Sequence, residues 1–192
     1  MNLPSHALAD WRQPVLTRLL ANGGVIAYPT EGVWGLGCSP ACLDAVERVL
    51  AIKQRPAHKG LILVAAEPEQ LSPWIDWAAL PLERLTEILC TWPGPITWVL
   101  PAHVHVSPLL RGKFDSLAVR VSAHPLVRVL CERHGPLVST SANHAGRRAA
   151  QSALQVRQWF AQDIDAVIPG ALGGRKGPSE IRDGLTGERY RT

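Results

Sequence analysis

Leu61-Ile62-Leu63-Val64-Ala65 is an unbroken apolar run of strand length, the pattern of a β-strand covered on both faces. Just upstream, Ala45, Val46, Val49, Leu50 and Lys53 recur at helical spacing as far as Arg55-Pro56, where the residue before a proline leaves the helical region. Ser39-Pro40 reads as the capped start of that helix. The alternation continues in both directions. Toward the N-terminus, Asp10 is placed to cap a helix reaching about Asn22, with Pro14 in its first turn and Gly23-Gly24 closing it; Val25-Ile26-Ala27-Tyr28-Pro29 then reads as a short buried strand. Toward the C-terminus, helical stretches near 81–91, 124–134 and 151–161 alternate with β-like runs at 96–100, 117–121, 137–139 and 166–168. This pattern predicts an α/β fold, a twisted mixed sheet flanked by helices, with residues 1–192 forming one domain.

A chain of 192 residues that is 46% hydrophobic can bury one substantial core, and its composition excludes collagen, disorder and a disulfide scaffold. No apolar run reaches membrane-spanning length, and residues 1–10 lack the basic start and long apolar stretch of a secretory signal, so a cytoplasmic location is expected. Cys38, Cys42, Cys90 and Cys131 form no CxxC pair and have no His at zinc-finger spacing; they are expected to be reduced and mostly buried. The net charge of +4 fits phosphate-bearing ligands or RNA and proves neither. Arg outnumbers Lys by 16 to 4, which supplies forked donors for anions, although a GC-rich coding sequence gives the same excess.

Two constellations carry the chemistry. Lys53 and Arg55 lie at a helix end and its exit loop, with Lys59 a third cation before the buried strand. The pair is a pincer for phosphate or carboxylate; the helix dipole alone also favours cations there. Ser139-Thr140-Ser141-Ala142-Asn143 follows a buried run and puts hydroxyls and an amide at or just beyond a strand end, where α/β sheets bind ligands; a turn satisfying its own backbone is the plainer reading. Arg120 shares a strand face with Ala118, opposite Val119 and Val121. If that face is enclosed it needs an anion, either a ligand carboxylate or a structural Asp. Thr30-Glu31 offers a hydroxyl and a carboxylate at the end of the first strand. His103-x-His105 lacks a third ligand, so no metal site is expected. No GxxxxGK[ST], GxGxxG or GxSxG occurs, so any nucleotide is held another way and a serine hydrolase is disfavoured. The long irregular pieces are 102–116 and 169–178, the second a glycine-rich candidate lid.

Taken in order, Tyr28-Pro29-Thr30-Glu31 with Gly35-Leu36-Gly37, Lys53-Gln54-Arg55-Pro56, Trp92-Pro93-Gly94-Pro95, Ala118-Val119-Arg120, Ser139-Thr140-Ser141-Ala142-Asn143 and Pro178-Ser179-Glu180-Ile181-Arg182-Asp183 resemble the YrdC domain family, in its short bacterial threonylcarbamoyl-AMP synthase form. The resemblance runs from about Gly24 to Arg191. It implies conversion of L-threonine, bicarbonate or CO2, and ATP to threonylcarbamoyl-AMP and diphosphate, with partner proteins then moving the threonylcarbamoyl group onto an adenosine of tRNA. By the same resemblance Thr30, Arg120 and Ser179 hold threonine. Arg55, Lys59, Ser139, Ser141, Asn143 and Arg191 serve ATP, and Lys53 and Arg55 act at the phosphates, with Mg²⁺ carried by the phosphates rather than by a protein cage. Relatives with an added C-terminal domain carry Asn-Pro and a strand His where this chain has Lys59-Gly60 and Val64, and Ser-Thr-Ile in place of Ser179-Glu180-Ile181. The competing readings are an RNA-binding or ribosome-assembly factor with a basic concave surface around Arg147-Arg148 and Arg175-Lys176, and a carbamoyltransferase of hydrogenase maturation, whose larger chains carry segments absent here.

Overall fold

A computed structural model describes residues 13–175, 177 and 179–191. In chain order the elements are α1 (Gln13–Ala21), β1 (Ile26–Pro29), β2 (Trp34–Gly37), α2 (Leu43–Ile52), β3 (Ile62–Ala65), α3 (Leu82–Cys90), β4 (Ile96–Pro101), α4 (Pro108–Arg111), β5 (Ser116–Val121), α5 (Pro125–His134), β6 (Leu137–Ser141), α6 (Ala153–Phe160), β7 (Ala166–Val167), β8 (Glu180–Asp183) and β9 (Arg189–Arg191). The nine strands form one mixed sheet in the order β7-β1-β2-β6-β3-β5-β4-β8-β9. β3 is central, parallel to β5 and antiparallel to β6.

Side-chain alternation sorts the two faces of β3. Leu63 and Ala65 point into the larger cluster with Val119, Val121, Trp98 and Leu100, covered by Val46 and Val49 of α2 and Ile88 of α3. Val64 points the other way, against Val127, Leu130 and Cys131 of α5, together with Tyr28 and Leu137. A third cluster packs Val156 and Phe160 of α6 under Leu36 and Ala27. The expected double coverage of this strand therefore holds for Val64 and is incomplete at Ile62, which is only partly buried. α5 covers one end of its face and leaves the other end open. That open end is where the site forms.

Several expectations need correction. Ser39 does not cap α2: the helix starts at Leu43 after Cys42, which makes no side-chain cap bond, and the Ser39 carbonyl only accepts the Cys42 N–H at 3.3 Å. β6 runs on through Ser141, so Ser139 lies inside the strand and Ser141 is its last residue, because pairing with β2 continues to Gly35↔Ser141. The 102–116 segment contains α4, capped by the Ser107 hydroxyl. Of the cysteines only Cys38 and Cys131 are buried, while Cys90 is exposed at the end of α3; all four are free thiols. Asp10 lies outside the described residues.

Candidate active site

The open end of the sheet face is a cleft of about 590 Å³. Its floor is built by alternation: Ile62 of β3 registers with Ala118 of β5 and Ser139 of β6, Val99 of β4 registers with Ala118, and Ile181 of β8, registered with Thr97, lines the cleft beside this row. At one end stand Thr30, Glu31 and Arg120. Along the rim, Arg55 and Lys59 come over the start of β3 from the exit loop of α2, and Phe114 and Tyr190 supply aromatic rings. Among the charged lining residues, Arg55, Lys59, Arg111, Arg120 and Arg175 face the single carboxylate of Glu31. Such a surface favours a polyanion at one end and a smaller charged ligand at the other.

The cations differ in what already holds them. Arg55 donates from Nε to the Gly60 carbonyl at 2.9 Å and from a terminal nitrogen to the Lys59 carbonyl at 3.3 Å, which fixes the fork while leaving it half-buried at the cleft. Gly60 is required in this loop: its φ is +63°, and a Cβ would stand 3.0 Å from the Arg111 carbonyl oxygen. Lys53 is different. It is 5% exposed, and its ammonium donates to the Ser141 carbonyl (2.5 Å), the Asn143 carbonyl (2.8 Å) and Asn143 Oδ1 (2.7 Å). Asn143 Oδ1 also accepts from the Ser141 hydroxyl at 2.6 Å. Burial, then the nearby Arg55, pull the Lys53 ammonium down to about 8. Lys53 and Asn143 therefore lie behind Ser141 as a clamp between α2 and the end of β6, whereas Arg55, Ser139 and Ser141 face the cleft.

At the other end, Arg120 pairs with Glu31 at 3.2 Å, with side-chain exposures of 8% and 13%. Of the two anions left open for Arg120 a structural one is present, as a glutamate and not an aspartate, and the guanidinium still lines the cleft with its Nε unbonded among the described residues. Glu31 Oε1 accepts the Ser122 hydroxyl at 2.6 Å. Burial opposes the charge on Glu31, but Arg120 and Ser122 outweigh it and hold the carboxyl below its ordinary range. The Thr30 hydroxyl donates to the Val33 carbonyl at 2.8 Å, and Ser179 shares a 2.8 Å hydrogen bond with Thr97, so both are buried at the wall of the cleft. The candidate lid packs onto this corner. The N–H groups of Gly173 and Arg175 donate to the Thr30 and Glu31 carbonyls at 3.0 and 2.9 Å, and His124 Nε2 lies 3.0 Å from the Ala171 carbonyl. Gly173 is needed for that approach, since a Cβ there would lie 2.9 Å from the Glu31 Cα.

Of the residues expected at the site, Thr30, Arg55, Lys59, Arg120, Ser139, Ser141 and Ser179 line one cleft. The side chain of Arg191 lies outside the described residues. Phe114 and Tyr190 were missed, the first hinted at only by the length of its irregular segment, whereas the sequence reading places Arg175 in the candidate lid and in the basic surface rather than among the site residues. Arg147 and Arg148 are exposed on the turn after β6, and Lys176 lies outside the described residues.

A family profile described as telomere recombination, that of the Sua5/YciO/YrdC proteins, matches residues 18–191. The chain belongs to this family. It is 53% identical over 188 residues to the threonylcarbamoyl-AMP synthase of Nitrosococcus oceani, covering 96% of this chain and 100% of that one. It is likewise 53% identical over 184 residues to the threonylcarbamoyl-AMP synthase of Stutzerimonas stutzeri, covering 96% and 98%. Among solved structures it is similar to P. abyssi Sua5 complexed with L-threonine, with a TM-score of 0.84 and 32% identity; the match covers 92% of this chain and 52% of the Sua5 chain. The chain thus spans about half the length of that Sua5 chain and nearly all of the two bacterial synthases.

Val64, one of the departures from the family pattern noted in the sequence, packs under α5 rather than in the cleft. Glu180, another departure, accepts from Arg182 at 2.8 Å and pairs with Arg189 at 3.1 Å, which joins β8 to β9.

Proposed function

We propose that the chain is a threonylcarbamoyl-AMP synthase, joining L-threonine, bicarbonate or CO2, and ATP into threonylcarbamoyl-AMP with release of diphosphate. The observation that carries this reading is a single cleft with a carboxylate-binding corner at Arg120 and a hydroxyl- and cation-lined stretch at Ser139, Ser141, Arg55 and Lys59. On this reading Thr30, Arg120 and Ser179 bind threonine. Arg55, Lys59, Ser139 and Ser141 bind ATP, with Arg191 a further phosphate contact.

The threonine amine takes up CO2 to form a carbamate, whose oxygen attacks the α-phosphorus and expels diphosphate. Negative charge gathers on both reactants, so alignment and cationic screening govern the rate more than acid–base chemistry. Arg55 contributes the screening directly. Lys53 and Asn143 act one step back, by fixing the end of β6 that presents Ser141. Mg²⁺ would ride on the triphosphate and neutralise it there. Among the described residues no group of three or more metal-ligating side chains gathers, and the one cleft carboxylate is paired with Arg120, so the donor set fits a phosphate-borne ion and not a protein cage.

Residues 1–192 would work as one domain in the cytoplasm, handing the adenylate to proteins that modify tRNA; no helix among the described residues is long and apolar enough to cross a membrane. The test is diphosphate release from ATP with bicarbonate present, with and without L-threonine. Threonine-dependent release is expected; ATP turnover indifferent to threonine would remove the assignment. Labelled bicarbonate with threonine or serine then measures selectivity, because one methyl group is worth only about 1–3 kcal/mol.

A further inference from the structure

An α-amino acid reaches a protein as a zwitterion, and the threonine corner holds a charge of each sign. Arg120 and Glu31 both line the cleft, 3.2 Å apart at their nearest nitrogen and oxygen. Each has one buried polar atom without a hydrogen bond among the described residues, Arg120 Nε and Glu31 Oε2. Resting on the function proposed above, we propose that Glu31 determines specificity at this corner: its carboxylate receives the α-ammonium of the amino acid while Arg120 takes the α-carboxylate.

Three features favour this over a purely structural ion pair. The Ser122 hydroxyl occupies Oε1 at 2.6 Å, which anchors the carboxylate, while Oε2, 3.2 Å from a terminal nitrogen of Arg120, carries the ion pair and has no hydrogen bond among the described residues. The Glu31 main chain is held independently, since its carbonyl accepts the Arg175 N–H at 2.9 Å, so the side chain is not required to fix the loop. Charge balance gives the third. Arg120 alone would bind any carboxylate, whereas a neutral Arg120–Glu31 pair gains most from a ligand that brings both signs and penalises one that brings only an anion. Glu31 is not asked to take the proton from the amine, because a carboxyl held below its ordinary range is a weak base.

The experiment is calorimetric titration of the wild-type chain, Glu31→Gln and Glu31→Asp with L-threonine, with (R)-3-hydroxybutanoate, which lacks the ammonium, and with L-threoninamide, which lacks the carboxylate. Wild type is expected to prefer threonine over (R)-3-hydroxybutanoate by at least about tenfold. Glu31→Gln should cut that ratio by roughly tenfold. Glu31→Asp, which keeps the charge, should preserve the preference. A loss of structure would weaken all three ligands together and leave the ratio alone, so an unchanged ratio in folded Glu31→Gln overturns the inference. Should Glu31→Gln fail to fold, equal affinity of wild type for threonine and (R)-3-hydroxybutanoate, or loss of the preference in Glu31→Asp, overturns it instead. A wild-type chain that binds no threonine at all would sink the synthase reading itself, which is a separate outcome.

Discussion

Arg120, Glu31 and Lys53 show how a buried charge is made tolerable, each in a different way. Arg120 has a carboxylate partner and lines the cleft, with its buried Nε making no hydrogen bond among the described residues. Arg120→Ala should therefore remove a ligand contact and leave Glu31 unpaired, raising the KM for threonine about a hundredfold with a smaller effect on the KM for ATP, read by steady-state kinetics on each substrate. Lys53 satisfies oxygens that would otherwise be orphaned beneath β6. Lys53→Met should cost about 3 kcal/mol in urea unfolding and lower activity through a displaced Ser141, and unchanged stability would contradict the clamp. For Glu31 the folded-state pKa lies below the ordinary 4.5, so the unfolded chain binds the proton first. Its stabilising contribution is complete above the ordinary carboxylate range and is lost as pH falls through the folded value. The stability gap between wild type and Glu31→Gln should accordingly shrink on acidification from neutral pH to about pH 3. A gap that stays constant would mean the carboxylate is not held by Arg120.

At the level of elements, β3 does most to organise the molecule, and its reading from sequence succeeded because an uninterrupted apolar run has few other uses. Leu63→Ala, fully buried between α2 and β5, should cost about 2–5 kcal/mol by leaving a cavity. Elements without such a signal went unread. β2 is Trp34-Gly35-Leu36-Gly37, where two glycines erase the alternation; a Cβ at Gly37 would lie 2.3 Å from the Val138 carbonyl oxygen, so the pairing with β6 itself excludes a side chain. β8 is largely polar because its charges pair within the β8–β9 hairpin rather than with a core. The end of β6 was misplaced for a related reason: the strand was read as ending at Ser139, yet pairing continues through Ser141 and both serines face a cleft. The 171–175 strap belongs to this scale too. Gly173→Val should push it off Thr30 and Glu31, raising the KM for threonine while leaving the melting temperature almost unchanged; a large fall in melting temperature would show that the strap is part of the core.

Among the described residues the strands form one sheet with helices packed on both faces, and one end of the face under α5 is left open. α5 shields Val64 and its neighbours, and the uncovered remainder is the cleft, so the position of one helix defines where the cleft opens. The types of residue needed there were legible in the sequence, since Arg55, Lys59, Arg120, Ser139 and Ser141 all arrive in the same space. What the sequence concealed was arrangement: that Lys53 stands behind the wall, that Glu31 is the partner of Arg120, and that Phe114 and Tyr190 come from distant segments to the rim. The central claim is that an amino acid and a nucleotide lie together across this sheet face. The most direct measurement is a crystal structure with L-threonine and a non-hydrolysable ATP analogue bound. Density for the threonine carboxylate on Arg120, with the triphosphate along Arg55, Lys59 and Ser141 and the amine facing the α-phosphorus, is the result expected. Nucleotide density on any other surface, with the cleft filled only by solvent, would contradict the account.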